Sequence, residues 1–355
     1  MIRFIFCMIS IIIFISCESN DSSHRSNLVQ LQRVELIQDG IEDCWNIAYG
    51  NDTLLVCNNY SKTHKLRIIK YNSTEKITHD FLRKGNGPNE IHSFISKIIN
   101  DTILILTYNH GVIDKLIHIP ISCIDDEHMW IADTIGVIGN YRVGGDFDIN
   151  EDNGILILGD RYGAKNILSF IKDSELKPVG YWPEDKYKGP IIPKQVVYTS
   201  CSNIFLNENK LFYSCGEGRF AKIIEIDSKK EISIYDEPPI YESSVDNLNY
   251  VRDNDSYLGV QSRADKKHIY IKLNNAKLIG RVYHPKDYKG YPPYYHDELE
   301  VYDWDGNYVC TFVTDKPFKN YYVNSYLNLL FTFTKDPKTG LPEIIKYMLP
   351  TIKNQ

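Results

Sequence analysis

Three short segments hold the residue types that chemistry most often uses. Asp146–Gly154 (DFDINEDNG) places Asp146, Asp148 and Asn150 at alternating positions, as the oxygen ligands of a calcium loop begin. An EF-hand loop needs glycine at its sixth place and glutamate at its twelfth. Here those places hold Glu151 and Ile157. The same alternation describes a strand entering a turn, and that is the reading adopted. Asp303–Asn307 (DWDGN) also has a calcium-like look, but Asp305-Gly306 between two apolar runs is a hairpin turn. His296–Glu300 (HDELE) has the wrong order for a His-Glu-x-x-His zinc motif, and no Gly-x-Ser-x-Gly elbow exists. No catalytic residue and no metal ligand is assigned. A divalent cation such as calcium remains the alternative cofactor.

Phe81–Glu90 (FLRKGNGPNE) poses a different question, because glycines behind cations can cradle phosphate. A phosphate loop needs Gly-Lys-Ser/Thr opening a helix, or three spaced glycines after a strand. Asn89-Glu90-Ile91 follows instead. The segment therefore reads as a bend between two sheets: Gly85 and Gly87 give backbone freedom, and Pro88 fixes one φ at the start of the next strand.

The whole chain fits that structural reading. Its 355 residues exceed one ordinary core, and 26 Tyr with 14 Phe favour strands. A net charge of −6 without any basic run argues against nucleic acid. Phe4–Ile15 is an apolar run of 12 residues behind Arg3; a spanning helix needs about 20, so a signal segment is expected. Its end, Phe14-Ile15-Ser16-Cys17, resembles the bacterial lipobox, whose cysteine is lipidated, although Phe14 replaces the usual leucine. The expected divisions are a signal peptide over 1–17, a flexible tether over 18–27 and a β-domain over 28–350.

One pattern returns along that domain: a polar turn followed by a short apolar run, as in NDTLLVC, NDTILIL, DNGILIL, NENKLFYS, DKKHIYI and LNLLFTF. Aligned on Thr53, Thr102, Gly154, Lys210, Lys267 and Asn328, the returns are 49 to 61 residues apart. Most units offer four strand-like runs and no helical period, which is the signature of a propeller blade. The expectation is an all-β, six-bladed β-propeller with four-stranded antiparallel blades. The last unit lacks a fourth run, and Leu28–Ile37 (LVQLQRVELI) is expected to supply it, closing the ring.

The sequence resembles the six-bladed, TolB-like β-propeller lipoproteins of Bacteroidota. RKGNGPNEI after the first unit, VYDWDGNYV late in the chain, the closing PEIIKYML and the lipobox carry the likeness. What it implies is the propeller fold and a cell-envelope location, anchored to the outer membrane on its periplasmic or exposed side. Propeller lactonases hold a divalent ion at the channel mouth with residues dispersed over several blades. A metal-dependent hydrolase is therefore the alternative to a binding or scaffold module.

In such a fold the crossovers and the loops joining each sheet's second and third strands share one face. On it the sequence places Arg83, Lys84, Arg161, Tyr162, Arg219 and Phe220, and an insertion, Asn274–Asp297, with Tyr291, Tyr294, Tyr295 and His296. Tyrosine pairs apolar area with a polar tip and few rotors, so these residues suit recognition; packing on their own blade is the other reading. The expected partner is an envelope protein or a carbohydrate or peptide ligand, with the membrane reached through Cys17. Cys44 with Cys57 and Cys201 with Cys215 are expected to face each other across hairpins, as two disulfides or as four buried thiols.

Overall fold

The structure, a computed structural model, describes residues 27–352 except 38–45, 51–52, 59–63, 72–75, 84, 86–89, 92, 100, 110–111, 125, 139–140, 151–153, 162, 187–190, 240, 244–249, 253–256, 277, 280–281 and 284–294. Strands β1 (Leu28–Gln30) and β2 (Gln32–Ile37) come first in the chain but join sheets formed by its end. The first sheet is β3 (Asn46–Gly50), β4 (Thr53–Asn58), β5 (His64–Tyr71) and β6 (Lys76–Arg83). The second is β7 (Ser93–Ile99), β8 (Thr102–Asn109), β9 (Val112–Pro120) and β10 (Ile131–Ile138). The third is β11 (Tyr141–Asn150), β12 (Gly154–Arg161), β13 (Leu168–Lys172) and β14 (Glu175–Pro178). A helix, α1 (Ile191–Thr199), precedes the fourth, which is β15 (Asn203–Asn207), β16 (Lys210–Ser214), β17 (Phe220–Glu225) and β18 (Glu231–Asp236).

A ribbon, β19 (Tyr241–Ser243) with β20 (Tyr250–Arg252), then leads into β21 (Tyr257–Ala264) and β22 (His268–Ala276). A second ribbon, β23 (Leu278–Ile279) with β24 (Val282–Tyr283), separates these from β25 (His296–Asp303) and β26 (Tyr308–Phe318). Strands β21, β22, β25, β26 and β1 form one mixed sheet. The closing sheet is β27 (Asn320–Asn324), β28 (Leu329–Lys335) and β29 (Pro342–Met348), with β2 outside.

This pairing corrects the expectation of six four-stranded antiparallel blades. The structure has five such blades, not six; the remaining sheet is five-stranded and mixed, because β1 adds to β26 in parallel, Leu28 opposite Thr311. Leu28–Ile37 is thus not one outer strand. It breaks at Leu31, whose N–H donates to Val313 O and whose side chain is buried among Tyr270, Phe312 and Tyr347. Beyond that break β2 runs antiparallel to β29, Ile37 opposite Ile344. The likeness to the six-bladed lipoproteins carried the same blade count, and it is corrected with it: what stands is an all-β propeller of mostly four-stranded blades.

The first strands of the sheets adjoin: β7 lies against β11, β11 against β15, β15 against β21, and β27 against β3, so the end of the chain meets its beginning. From the third sheet to the closing one each packs on two neighbours, which explains the uninterrupted apolar runs. On β8, Ile103 and Ile105 enter a cluster with Ile117, Ile119 and Ile124. Leu104 and Leu106 point the other way, to Phe147, Ile157 and Ile171 of the third sheet. Alternation thus buries both faces, and each such side chain contributes about 1.5–3 kcal/mol.

The two ends of the sheets differ. The turn face, where first joins second strand and third joins fourth, has tight turns with residues at positive φ, Asp101 (57°), Glu208 (52°), Gly306 (80°) and Asn328 (53°), and one longer β9–β10 connection with short 3-10 turns at Ile121–Cys123 and Glu127–Met129. The loop face carries the crossovers, α1 and the β22–β25 connection. At the first crossover Ile91 N–H donates to Arg83 O (2.9 Å), Gly85 N–H to Ile91 O (3.3 Å), and Arg83 pairs with Glu90 at 3.6 Å. A Cβ on Gly85 would lie 1.8 Å from Glu90 Oε2, so glycine suits this closed bend. Lys84 lies outside the described residues.

Candidate functional site

The most elaborate part of the loop face lies between the third and fourth sheets, where α1 fills the crossover. Gln195 ties the helix to the β12–β13 loop: its Oε1 accepts from Gly163 N–H (3.1 Å), and its Nε2 donates to Arg161 O (3.1 Å) and Asn166 O (3.4 Å). Lys194 is buried beside an equally buried Asp185, Nζ to Oδ1 3.2 Å. It also donates to Pro183 O and lies 4.7 Å from the Trp182 ring centroid. Beneath them Tyr198, Tyr213 and Phe220 meet edge to face at 5.9–6.2 Å, and Tyr213 Oη donates to Tyr198 O (2.7 Å). Cys215 sits in this apolar layer, where burial pushes its thiol up to about 12. It is therefore a packed thiol and not a nucleophile.

Asp160, at the loop-face end of β12, is buried; its Oδ1 accepts from Arg161 N–H (2.6 Å), while its Oδ2 has no hydrogen-bond partner. A buried carboxylate oxygen without a donor costs free energy.

Two further charge clusters are structural. The first contains the acids that looked calcium-like. Asp146 and Asp148 share one side of β11, and Lys97 Nζ from β7 lies 3.5 Å from an oxygen of each. Their other bonds go to backbone: Ile204 N–H to Asp146 Oδ2 (2.9 Å) and Leu206 N–H to Asp148 Oδ2 (2.7 Å). Phe147 and Ile149 N–H satisfy the Oδ1 atoms at 2.9 Å. Burial raises the Asp148 pKa against the opposing pull of Lys97. These carboxylates stitch β11 to β15 and to β7. Among the described residues no group of His, Cys, Asp and Glu is arranged to hold a metal ion.

The second cluster spans the fourth and mixed sheets. Tyr235 and Tyr302 both donate to Glu300 Oε2, the latter at 2.8 Å. Burial and then the Glu300 charge hold both phenols well above their ordinary pKa. Arg219 lies 4.6 Å over the Tyr235 ring and 3.6 Å from Glu237. In the DWDGN turn Asp303 Oδ1 accepts from Asp305 and Asn307 N–H at 2.9 and 2.8 Å, so its carboxylate caps the hairpin.

The structure gathers Arg161, Arg219 and Phe220 around α1 and the fourth sheet, but Phe220 is core and Arg219 is half-buried over Tyr235. Arg83 is exposed at the first crossover. Tyr295 is buried, 1% exposed, which makes it a packing residue and not a surface anchor. His296 is half-buried at the start of β25, its Nδ1 accepting from Glu298 N–H (3.0 Å). Tyr162, Tyr291, Tyr294, Cys17 and Cys44 lie outside the described residues, and the insertion shortens to 277–295 because β22 reaches Ala276.

The Cys201–Cys215 pairing needs correction, while the Cys44–Cys57 pairing reaches outside the described residues. The β15–β16 register sets Asn207 opposite Lys210 and Asn203 opposite Ser214, which brings Cys201 to Gly216, its O 2.4 Å from where a Cβ there would sit. A shift of one residue turns a side chain to the other sheet face, so Cys201 is exposed, Cys215 is buried, and both remain thiols. In the first sheet Cys57 stands opposite Asn46. Neither α1 nor the Lys194–Asp185 pair was expected from sequence. Pro193 near the start of the apolar run IIPKQVVYT is the one helix signal there.

No family model and no curated protein matches this chain. Among solved structures it is similar to a member of the DUF4221 family from Bacteroides vulgatus, with 12% identity, TM-score 0.50, and 92% of this chain and 98% of that chain covered. It is also similar to a candidate exported protein of Bacteroides fragilis, at 10% identity, TM-score 0.48, and 92% and 100% coverage. At such identities the first likeness speaks for the propeller fold alone. Among the described residues no helix is long and apolar enough to cross a membrane.

Proposed function

We propose that this β-propeller is a lipid-anchored binding or scaffold module of the cell envelope. It recognises a protein, carbohydrate or peptide through its loop face and performs no chemistry of its own. The observation that carries the reading is the asymmetry of the two ends. Sheet faces are consumed by packing, so specificity must come from loops. On the loop face the segment from Val179 to Ser202 carries α1, and 277–295 carries tyrosines; the turn face offers mostly tight turns. No cluster of metal ligands among the described residues favours the hydrolase reading.

The anchor is tested by fractionation: Cys17→Ala should move the protein from membranes to the soluble fraction, and retention after washing would remove the anchor from the account. Recognition is tested by mild-detergent purification from the native envelope. Tyr291→Ala with Tyr294→Ala should weaken capture of any co-purifying partner by a few kcal/mol if they are central anchors, with stability unchanged. Tyr295→Ala, by contrast, should destabilise the fold by about 3–5 kcal/mol, as truncation of a buried aromatic does. Undiminished capture with both tyrosines removed would take the site away from the insertion.

A further inference from the structure

The chain enters the propeller at its turn face. Asn27 Nδ2 donates to Val309 O (2.8 Å), and Asn27 O accepts from Thr311 N–H (3.0 Å), beside the DWDGN hairpin. From there β1 runs parallel to β26, away from the turn face. The tether expected between Cys17 and Asn27 therefore attaches at that end.

Most of the large exposed apolar side chains sit at the same end. Among the described residues these are Leu28, Val34, Leu36, Met129, Ile131, Tyr326, Leu327, Leu341 and Met348. Leu341 alone belongs to the loop face, and Val34 and Leu36 lie on the outer strand β2. The other six are on the turn face. Three are neighbours. Tyr326, 92% exposed, and Leu327 form the β27–β28 turn, and Met348 ends β29 where Leu349 N–H donates to Asn328 O (2.8 Å). That turn, Asn324-Ser325-Tyr326-Leu327-Asn328, carries no charge. The turns at Asp101, Glu208, Asp265–Lys267 and Asp227–Lys230 all do. A tyrosine and leucine held outward on a tight uncharged turn lose apolar area to water unless something covers them.

We infer that the turn face at the closing sheet rests on the lipid surface to which the chain is tethered, with Tyr326, Leu327 and Met348 entering the headgroup region. Tyrosine suits that boundary because its ring is apolar and its hydroxyl stays wet. The contact turns the loop face away from the membrane, toward partners. The inference rests on the anchor reading of Cys17, which supplies the lipid surface and the short tether.

The test uses the full-length mature protein in vesicles of phosphatidylethanolamine and phosphatidylglycerol whose acyl chains carry bromine, a short-range quencher of tryptophan. Tyr326→Trp and Leu341→Trp are compared after subtracting the signal of the unsubstituted protein. The inference expects at least twofold quenching of the added tryptophan at 326 and none at 341. No quenching at 326, or equal quenching at both, would overturn it. Mass measurement of the mature chain reports the acyl group on Cys17 separately. If that group is missing, the anchor reading fails by itself. Sedimentation of the protein with vesicles and quenching at 326 would still support the surface, and failure to sediment would overturn it.

Discussion

Two ion pairs at opposite ends of this propeller hold their charge in different ways. At the turn face ions stand in water: Lys210 pairs with Asp305 at 2.6 Å, with the aspartate side chain 72% exposed. At the loop face exposed pairs such as Arg83–Glu90 stand beside others that are taken inside. Lys194 and Asp185 are 8% and 2% exposed, and Lys316 pairs with a fully buried Glu343. Exposed pairs contribute little, whereas a buried ion left without its partner is costly. The α1 crossover is thus tied down by a buried ion pair, while the turn at Asp305 is held by local turn chemistry.

Breaking one pair at each end gives the largest contrast. Lys194→Ala removes the cation beside the buried Asp185 carboxylate and should lower unfolding free energy by about 3–5 kcal/mol, whereas Asp305→Asn should leave the denaturant midpoint nearly unchanged. Equal effects would erase the distinction between the ends.

The inner rim gives a comparable effect with a pH signature. Lys97→Met leaves Asp146 and Asp148 buried together and should cost about 3–5 kcal/mol at neutral pH. A carboxyl with a raised folded pKa favours folding below its ordinary value and disfavours it as pH rises through the folded value. Burial already raises Asp148, and loss of the lysine raises it further. The deficit of the variant should therefore shrink as pH falls from 7 toward 4, read from urea melts across that range.

A smaller pH effect belongs to the turn face. Burial lowers the pKa of His268 beside the β21–β22 turn, so its contribution is present above the ordinary histidine value and lost as pH falls toward the folded one. The loss of stability between pH 7 and 5 should be smaller in His268→Gln. Smallest is Glu208→Gly, which relieves a left-handed residue at φ 52°. Thermal melts should show it neutral to about 1 kcal/mol more stable.

Much of the fold was legible because packing on both faces writes itself into local sequence, as in TILIL at Thr102–Leu106. The blade count failed at Leu31. A ten-residue strand candidate is indistinguishable by pattern from two short strands serving different sheets. The helix was missed because IIPKQVVYT is rich in β-branched residues, and the helix is held by Gln195 bonds and by Val197 and Tyr198 in the core. Tyr235 and Glu300 meet across 65 residues of sequence, a pairing no local spacing carries. The Cys201–Cys215 pair failed by register alone, since one residue at the Glu208 turn decides which side of the sheet Cys215 faces.

The central claim is that recognition belongs to the loop face. Its most direct measurement places a photo-crosslinking amino acid, one at a time, at two exposed lysines in the living cell. Lys165 lies in the β12–β13 loop and Lys267 in the β21–β22 turn. The account predicts a discrete adduct from position 165 and none from 267. Adducts from 267 with none from 165 would contradict it.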